Sequence, residues 1–344
     1  MAIKNDGTLW AWGLNDYGQL GNGESGYYDP PTDKLPIYSA IPVQVGTDTN
    51  WEVVSAGDSF SAAIKSDGSL WAWGRNDNFG QLGTGTWQDS NIPVQECTGA
   101  NNWVAVSVGS SHAAAIKKDG SLWTWGKDDE NELNRSGDNR IPAEVDDPDP
   151  SKLWVAAFSI SISTVGIKED GGIWAWGDNF SGSIPVLIIP AGDIWLILSA
   201  GAGHTVVIKK DGSLWAWGNN SYGQLGNNDP TGTYRSTLVE VAEPGTWKTI
   251  SAKGNHTLAI KNDGSLWAWG SNNFGQLGSN TKKFSLIPIQ IGKDKWTAVS
   301  TNYSHTVAIK SDGSLWAWGS NNYGQLGDGT TRNRTTITKV SAGD

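Results

Sequence analysis

Four histidines, His112, His204, His256 and His305, each stand five residues before a lysine, and this regular placement is the first chemical possibility in the chain. Imidazoles gathered at one point could ligate a metal, and an imidazole beside a serine and an aspartate could activate a nucleophile. Neither chemistry suits the pattern. Each histidine belongs to its own copy of a repeated phrase, so the copies hold the rings apart, and no copy is set off from the others as a nucleophile with its own base. Phe60 and Ser163 fill the same place in other copies. That points to packing, with the imidazole hydrogen-bonded to the backbone of its own unit. The Gly-Gln-Leu-Gly runs, such as 80–83, lack the Lys-Ser/Thr of a phosphate loop and lie between strands. Asp146, Asp147 and Asp149 are spaced for a solvated turn rather than a calcium cage. The expectation is a non-enzymatic chain with no catalytic residue, no cofactor and no metal.

The phrase that carries these residues is Ile-Lys-x-Asp-Gly, two residues, then Trp-x-Trp-Gly. It recurs seven times, with its turn glycine at Gly7, Gly68, Gly120, Gly171, Gly212, Gly264 and Gly313. A unit of about fifty residues made of short strands cannot bury its own apolar faces and must stack on copies of itself. In the second copy, residues 51–57, 61–65, 69–74 and 92–95 are four β-type runs, A to D, bounded by Gly, Asn, Asp or Pro. Asp67-Gly68 predicts a type I′ hairpin between B and C. Trp71 and Trp73 share one face of strand C and Leu70, Ala72 and Gly74 the other, so a bulky face can stack on a small one. The small residues of strand A place it on the inside. Strand D carries Pro42, Pro93, Pro142, Pro185 and Pro288, which suits an outer edge.

Composition narrows the partners. The formal charge of −10, from 25 basic and 35 acidic residues, repels phosphate backbones, so nucleic acid is not expected. No apolar run approaches the roughly 18 residues that cross a bilayer, so membrane insertion is not expected. Cys97 stands alone, which removes any intrachain disulfide framework. The polar, acidic, Asn/Thr/Gly-rich balance leans toward a bacterial secreted or cell-surface protein and leaves the cytoplasm open.

The segments 74–83, 218–226, 270–278 and 319–327, of the form Gly-x-Asn-x-x-Gly-Gln-Leu-Gly, and the Gly-x-x-His-Thr runs before strand B resemble the regulator of chromosome condensation repeat family, with bacterial-type repeats. The resemblance implies an all-β fold: a seven-bladed β-propeller of four-stranded antiparallel blades, forming one domain over residues 1–344. The repeats fall at about 1–46, 51–97, 103–148, 154–191, 195–243, 247–292 and 296–340. Two copies depart from the pattern. In the third, Asn131-Glu132-Leu133-Asn134 replaces Gly-Gln-Leu-Gly, and Asn tolerates positive φ, so the turn is expected to survive. In the fourth, the loop from Gly177 runs straight into Ile184-Pro185, which predicts a notch. Met1 falls inside a strand B. The first blade is therefore expected to be split or incomplete, with residues 337–340 as strand D of the last unit or residues 340–343 supplying the missing strand A.

Because every copy shares the phrase, function is expected where copies differ. With alternating strands, the A–B and C–D loops share one rim. On it stand Tyr27, Tyr28 and Tyr38 of a long first insertion that also holds Pro30-Pro31, then Trp87, Tyr234 with Arg235, and Phe284. Aromatic and Arg anchors on one rim suit a protein partner held by a monomeric scaffold. Two alternatives come only from the family: guanine-nucleotide exchange on a small GTPase, and a Trp-based UV-B sensor. The Gly-Trp-Arg-His-Thr motif of the family's photoreceptor is missing here, and the basic tail that would dock an exchange factor on chromatin is also missing.

Overall fold

The Asp-Gly phrase turns the chain in every copy of a computed structural model that describes residues 1–26, 37–160, 163–177 and 182–341. The turn is not the expected type I′. Gly68 N donates to Lys65 O at 2.8 Å, and only Gly68 of the turn takes positive φ, at +79°. This is a three-residue turn with its glycine in the left-handed region. Hydrogen bonds to its side chain hold Asp67 out of that region, since Oδ1 accepts from Ser69 N at 2.9 Å and from Ser69 Oγ at 2.6 Å. Ser69 Oγ in turn accepts from Trp71 Nε1 at 2.9 Å. The same chain from Asp through Ser or Thr to Trp recurs at Asp6, Asp119, Asp211, Asp263 and Asp312. A Cβ on Gly68 would also stand 2.2 Å from Asn101 O of the loop that leads into the following blade. Here glycine is required twice over.

All regular elements among the described residues are strands, in seven antiparallel sheets, and the fold is a seven-bladed β-propeller. In the second blade Trp51–Ala56, Phe60–Lys65, Leu70–Gly74 and Ser90–Gln95 pair in the order A-B-C-D. Strand D is an edge in each sheet, as its prolines require, and the C–D register shifts between Ala72 and Gly74. The first sheet has three strands, Ala2–Ile3, Leu9–Leu14 and Tyr38–Gln44. Arg334–Lys339 is strand D of the seventh, with Thr338 opposite Ala317. The chain divides into two compact units, Met1–Gly192 with the first four sheets and Asp193–Asp344 with the last three.

Within each unit the sheets stack as the two faces of strand C require. In the first, Leu9, Ala11, Leu20 and Val45 of blade one form a cluster with Trp51, Ala63 and Trp73 of blade two. In the second, Val206, Ile208, Leu214 and Ala216 of blade five receive Trp247 and Trp269 of blade six. The strand A indole lies edge-on to the second strand C indole, with Trp51–Trp73 and Trp247–Trp269 centroids both 6.1 Å apart. At roughly 200 Å² and about 25 cal/mol per Å², each such Trp contributes up to ~5 kcal/mol before ordering entropy is counted. The strand B lysine lies over the first strand C indole, Lys65 at 3.8 Å from the Trp71 centroid and Lys310 at 3.8 Å from Trp316. A carboxylate from the D–A loop pairs with it: Asp48 with Lys65 at 2.9 Å and Asp294 with Lys310 at 2.9 Å. Asp147 of the acidic 146–149 loop takes this place for Lys168 and also accepts from Trp154 Nε1 at 2.7 Å.

His112, His204 and His256 tie one blade to the next, which corrects the expectation of a bond to their own backbone. His204 Nε2 lies 2.9 Å from Thr257 Oγ1 of blade six. Thr257 Oγ1 donates at 3.0 Å to Gln224 O of blade five, and that carbonyl also accepts from Trp269 Nε1 at 2.9 Å. The hydroxyl proton is spent on Gln224, so Nε2 must carry the proton that it shares with Thr257. The relay recurs as His112, Thr164 and Glu132 O, and as His256, Thr306 and Gln276 O. Between blades two and three both partners are replaced together: Phe60 stands for the histidine and Ala113 for the threonine, while Trp125 Nε1 still reaches Gln81 O at 2.9 Å. Burial pushes the His204 and His256 imidazoles down to about 3 and His112 to about 4.

Blades three and four show what the departures cost. Asn131 and Asn134 take φ of 59° and 47°, close to the 71° and 68° of Gly80 and Gly83, so the turn survives as the side chains suggested. Strand D there shrinks to Ala143–Glu144. In blades one, two, five, six and seven a buried Asn holds the C–D loop, but here Asp128 takes its place and has no amide to donate. Arg135 substitutes: its Nε donates to Thr124 O at 3.0 Å and its Nη2 to Ile141 O at 3.0 Å. In blade four, residues 178–181, the site of the expected notch, lie outside the described residues. Gly172 stands there where other copies have Ser or Thr, and its N–H alone reaches Asp170.

Two outcomes follow from these contacts. Gly172→Ser, at a position without positive φ, restores the hydroxyl between Asp170 and Trp174 and should raise the unfolding free energy by ~1 kcal/mol in urea titration. Thr257→Ala strands the His204 N–H and should cost about 1–3 kcal/mol, whereas His204→Phe with Thr257→Ala reproduces the natural Phe60–Ala113 seam and should cost under ~1 kcal/mol. Because the buried imidazoles titrate below the ordinary 6.5, their stability is complete above that pH and is lost as pH falls. The slope approaches ~1.4 kcal/mol per pH unit for each such histidine, and the double variant should lose one histidine's share of it between pH 6.5 and 4.

Candidate functional site

In blades one, two, five, six and seven the C–D loop is folded around an asparagine whose side chain is removed from solvent: Asn15, Asn76, Asn220, Asn272 and Asn321. In blade six Asn272 Oδ1 accepts from Leu277 N at 3.0 Å, and its Nδ2 donates to Thr281 O and Lys283 O, both at 3.0 Å. Asn76 and Asn321 do the same in their blades. The loop also grips its neighbour: Asn280 N donates to Thr335 O at 2.9 Å, and Ser279 bridges Thr336 of blade seven. Asn228 N likewise reaches Leu286 O of blade six at 3.1 Å. The C–D loops of blades five and six are therefore fixed and joined to the next blade, which lowers the ordering cost of a binding event on them.

Of the residues expected on this rim, Tyr27 and Tyr28 lie outside the described residues, with Pro30 and Pro31. Tyr38 and Trp87 are exposed on the first unit. Tyr234, at 64% exposure, and Phe284, at 57%, project from the second, so neither ring is packed away beneath its own loop. Arg235 is committed to Asp229, 2.5 Å from Nη2 to Oδ2. That contact, after the hydrogen bonds from Thr231, holds the Asp229 carboxyl below its ordinary range.

The two units treat their rim aromatics differently. In the first, long cations of the next blade lie over the rings: Arg75 over Tyr17 at 4.8 Å, Lys127 over Phe79 at 5.9 Å and Arg140 over Trp87 at 5.0 Å. Arg75 and Arg140 are themselves fixed by Asp77 and Asp138. In the second unit, Tyr222, Phe274 and Tyr323 occupy the place of Tyr17 and Phe79 and are exposed, with no cation over them among the described residues. The reason is one position. The residue after Trp-x-Trp-Gly is Arg75 or Lys127 in the first unit, but Ser271 and Ser320 follow in the second, too short to reach Tyr222 and Phe274. The recurring ring reads as scaffold in the sequence, which is why residue type alone does not single it out. The identity of the residue after each Trp-x-Trp-Gly is the signal that separates covered rings from open ones. Tyr303, on the A–B loop of blade seven, is exposed as well, and the signal that marks it is its size in a slot held by Asp58, Ser110, Ala202 and Gly254 in the other described copies.

Comparison with known proteins agrees with this architecture. A model described as "Regulator of chromosome condensation (RCC1) repeat" matches residues 6–64, 67–116, 211–260, 263–309 and 312–344, and a second model of the same repeat matches 103–132, 197–224, 247–276 and 296–325. The chain is 27% identical over 287 residues to the ultraviolet-B receptor UVR8 of Arabidopsis thaliana, covering 82% of this chain and 53% of that protein. The chain thus spans about half the length of that relative. Among solved structures, human WBSCR16 superposes with a TM-score of 0.83 at 17% identity, over 97% of this chain and 94% of that one. Prp20p from Saccharomyces cerevisiae, described together with its binding properties to Gsp1p and histones, gives 0.83 at 18% identity, over 99% and 88%. At these identities the structures bear on the fold alone.

If the open rings are not part of the scaffold, removing them leaves stability untouched. Tyr234→Ala and Phe284→Ala should each shift the unfolding free energy by less than ~0.5 kcal/mol, and Trp87→Ala, which also removes the Arg140 contact, by up to ~1 kcal/mol, against about 3–5 kcal/mol for Trp269→Ala in the stack. Thermal and urea melts of the four variants check this, and a large loss at any rim ring would return that residue to the scaffold.

Proposed function

The chain belongs to the regulator of chromosome condensation (RCC1) repeat family, and from that premise we propose that it is a non-enzymatic scaffold, acting as a monomer, that holds a protein partner through its C–D rim. The observation that carries this reading is the set of exposed aromatic rings on preformed loops, of which Tyr234 and Phe284 are the most open. Large rings whose loops are already ordered give contact area at small entropic cost, and such anchors dominate protein interfaces. The non-enzymatic part is supported by the commitment of the imidazoles: His112, His204 and His256 are buried with Nε2 engaged at a seam, where no substrate proton is within reach. The yeast relative's binding to Gsp1p and histones shows that a chain of this fold can serve protein partners, and that role is extended to this chain as part of the proposal.

The proposal places the anchors at Tyr38, Trp87, Tyr234, Arg235 and Phe284, with Tyr27 and Tyr28 on the first blade's insertion, and adds Tyr222, Phe274 and Tyr323. The deciding experiment is affinity capture from the source organism with the intact chain and with Tyr234→Ala/Phe284→Ala and Trp87→Ala variants. A specific partner should be retained by the intact chain and lost by at least one rim variant, each loss corresponding to about tenfold or more in affinity. Equal recovery of all bound proteins by every variant, including Tyr27→Ala/Tyr28→Ala, would remove the rim from consideration.

A further inference from the structure

Charge on the second unit is sorted between its two rims. Residues 193–341 hold nine carboxylates, and seven of them stand in or beside the Asp-Gly turns and D–A loops. Only Asp229 and Asp328 belong to C–D loops, and both are folded inward, their side chains 10% and 4% exposed. Each is consumed by its own loop. Asp229 accepts from Thr231 Oγ1 at 2.6 Å and pairs with Arg235, and Asp328 accepts from Thr330 Oγ1 at 2.7 Å and pairs with Arg334. What the C–D rim presents outward across blades six and seven is therefore cationic: Lys282, Lys283 and Arg332 are exposed, and none of their charged ends is paired with a carboxylate among the described residues. In a chain of net charge −10 this is a local inversion of sign.

These cations are held in register with open rings. Asn272 fixes the carbonyl of Lys283 at 3.0 Å, and Phe284 follows it in the chain. The Asn280–Thr335 bond sets the same loop against the start of strand D in blade seven, three residues beyond Arg332. Phe274 and Tyr323 are exposed on these same two loops. Apolar anchors beside unpaired cations, with all nearby carboxylates turned inward, complement a segment that carries acidic side chains and apolar side chains together.

We propose that the partner docks on blades six and seven through an acidic peptide segment, whose carboxylates meet Lys282, Lys283 and Arg332 while its apolar side chains cover Phe274, Phe284 and Tyr323. This rests on the rim reading above and specifies its chemistry. The test uses the full chain and a short fluorescein-labelled peptide of glutamates interspersed with leucine and phenylalanine. Its controls are the same peptide with lysine for glutamate and a single-stranded DNA oligonucleotide, with binding read by fluorescence anisotropy at low and physiological ionic strength. The acidic peptide should bind saturably, at least about tenfold tighter than its lysine counterpart, and weaken as salt rises. Lys282→Glu/Lys283→Glu/Arg332→Glu should weaken it by about tenfold or more, Lys282→Gln/Lys283→Gln by less, and Lys210→Glu on the opposite rim should leave it unchanged.

Equal affinity for the acidic and basic peptides, tighter binding of the oligonucleotide, or indifference to charge reversal would overturn the proposal. The two levels fail separately. A partner captured through the rim rings that binds the charge-reversed chain undiminished overturns the acidic chemistry and leaves the rim reading standing. Indifference of both capture and peptide binding to rings and charges alike overturns both.

Discussion

A single backbone carbonyl between two sheets organises each seam within the two units. Gln224 O accepts from the indole of Trp269 and the hydroxyl of Thr257, and that hydroxyl accepts from His204. Without those donors the carbonyl would be an orphan in an apolar interface, at a cost comparable to a whole net hydrogen bond or more. With them, the seam has both the area of an indole laid on Leu and Ala and the directionality of a polar network. Stacking area alone would let sheets slide; the carbonyl sets the position. The loop that supplies it also builds the rim, because the Gln carbonyl and the buried Asn belong to one turn. The rim surface is thus ordered by the same contact that closes the interface beneath it.

Much of this is legible in the residues alone. The period, the four runs per copy, the Trp and Leu/Ala faces and the edge prolines all follow from residue type and spacing, since burial and the pleat leave few alternatives. The tolerance of Asn131 and Asn134 for positive φ can also be read directly. The hairpin type cannot, because Asp-Gly serves two turn geometries. The choice goes with the backbone N–H two residues on, Ser69 to Asp67 and Gly172 to Asp170, which engages the aspartate's carboxylate. The histidine's partner is hidden for a different reason: it sits a full repeat away, at Thr257 for His204, and spacing within one unit cannot show it.

The rim is only partly readable. Unique residues such as Trp87 and Tyr234 announce themselves by breaking the pattern, whereas Phe274 hides inside it. Its exposure depends on whether the next blade offers an Arg, a Lys or a Ser after its Trp-x-Trp-Gly. A repeat protein can therefore open or close a ring on its surface by a substitution roughly one repeat downstream, without touching the ring itself. Function in such a chain is written in pairs of positions on neighbouring blades as much as in single residues.

The joint replacement at blades two and three carries this logic into ancestry. Phe60 faces a blade that holds Ala113 where the other copies hold threonine or serine, and either residue alone in a seam of the common kind would leave a polar group stranded or a ring without room. Were the third blade moved to follow the fifth, His204 would meet Ala113 and lose its acceptor. Blades that look interchangeable in sequence are not modular parts, then: the heritable module is the joint between two of them. A lineage that duplicates, deletes or permutes such repeats must cut within a blade and carry its seams across whole.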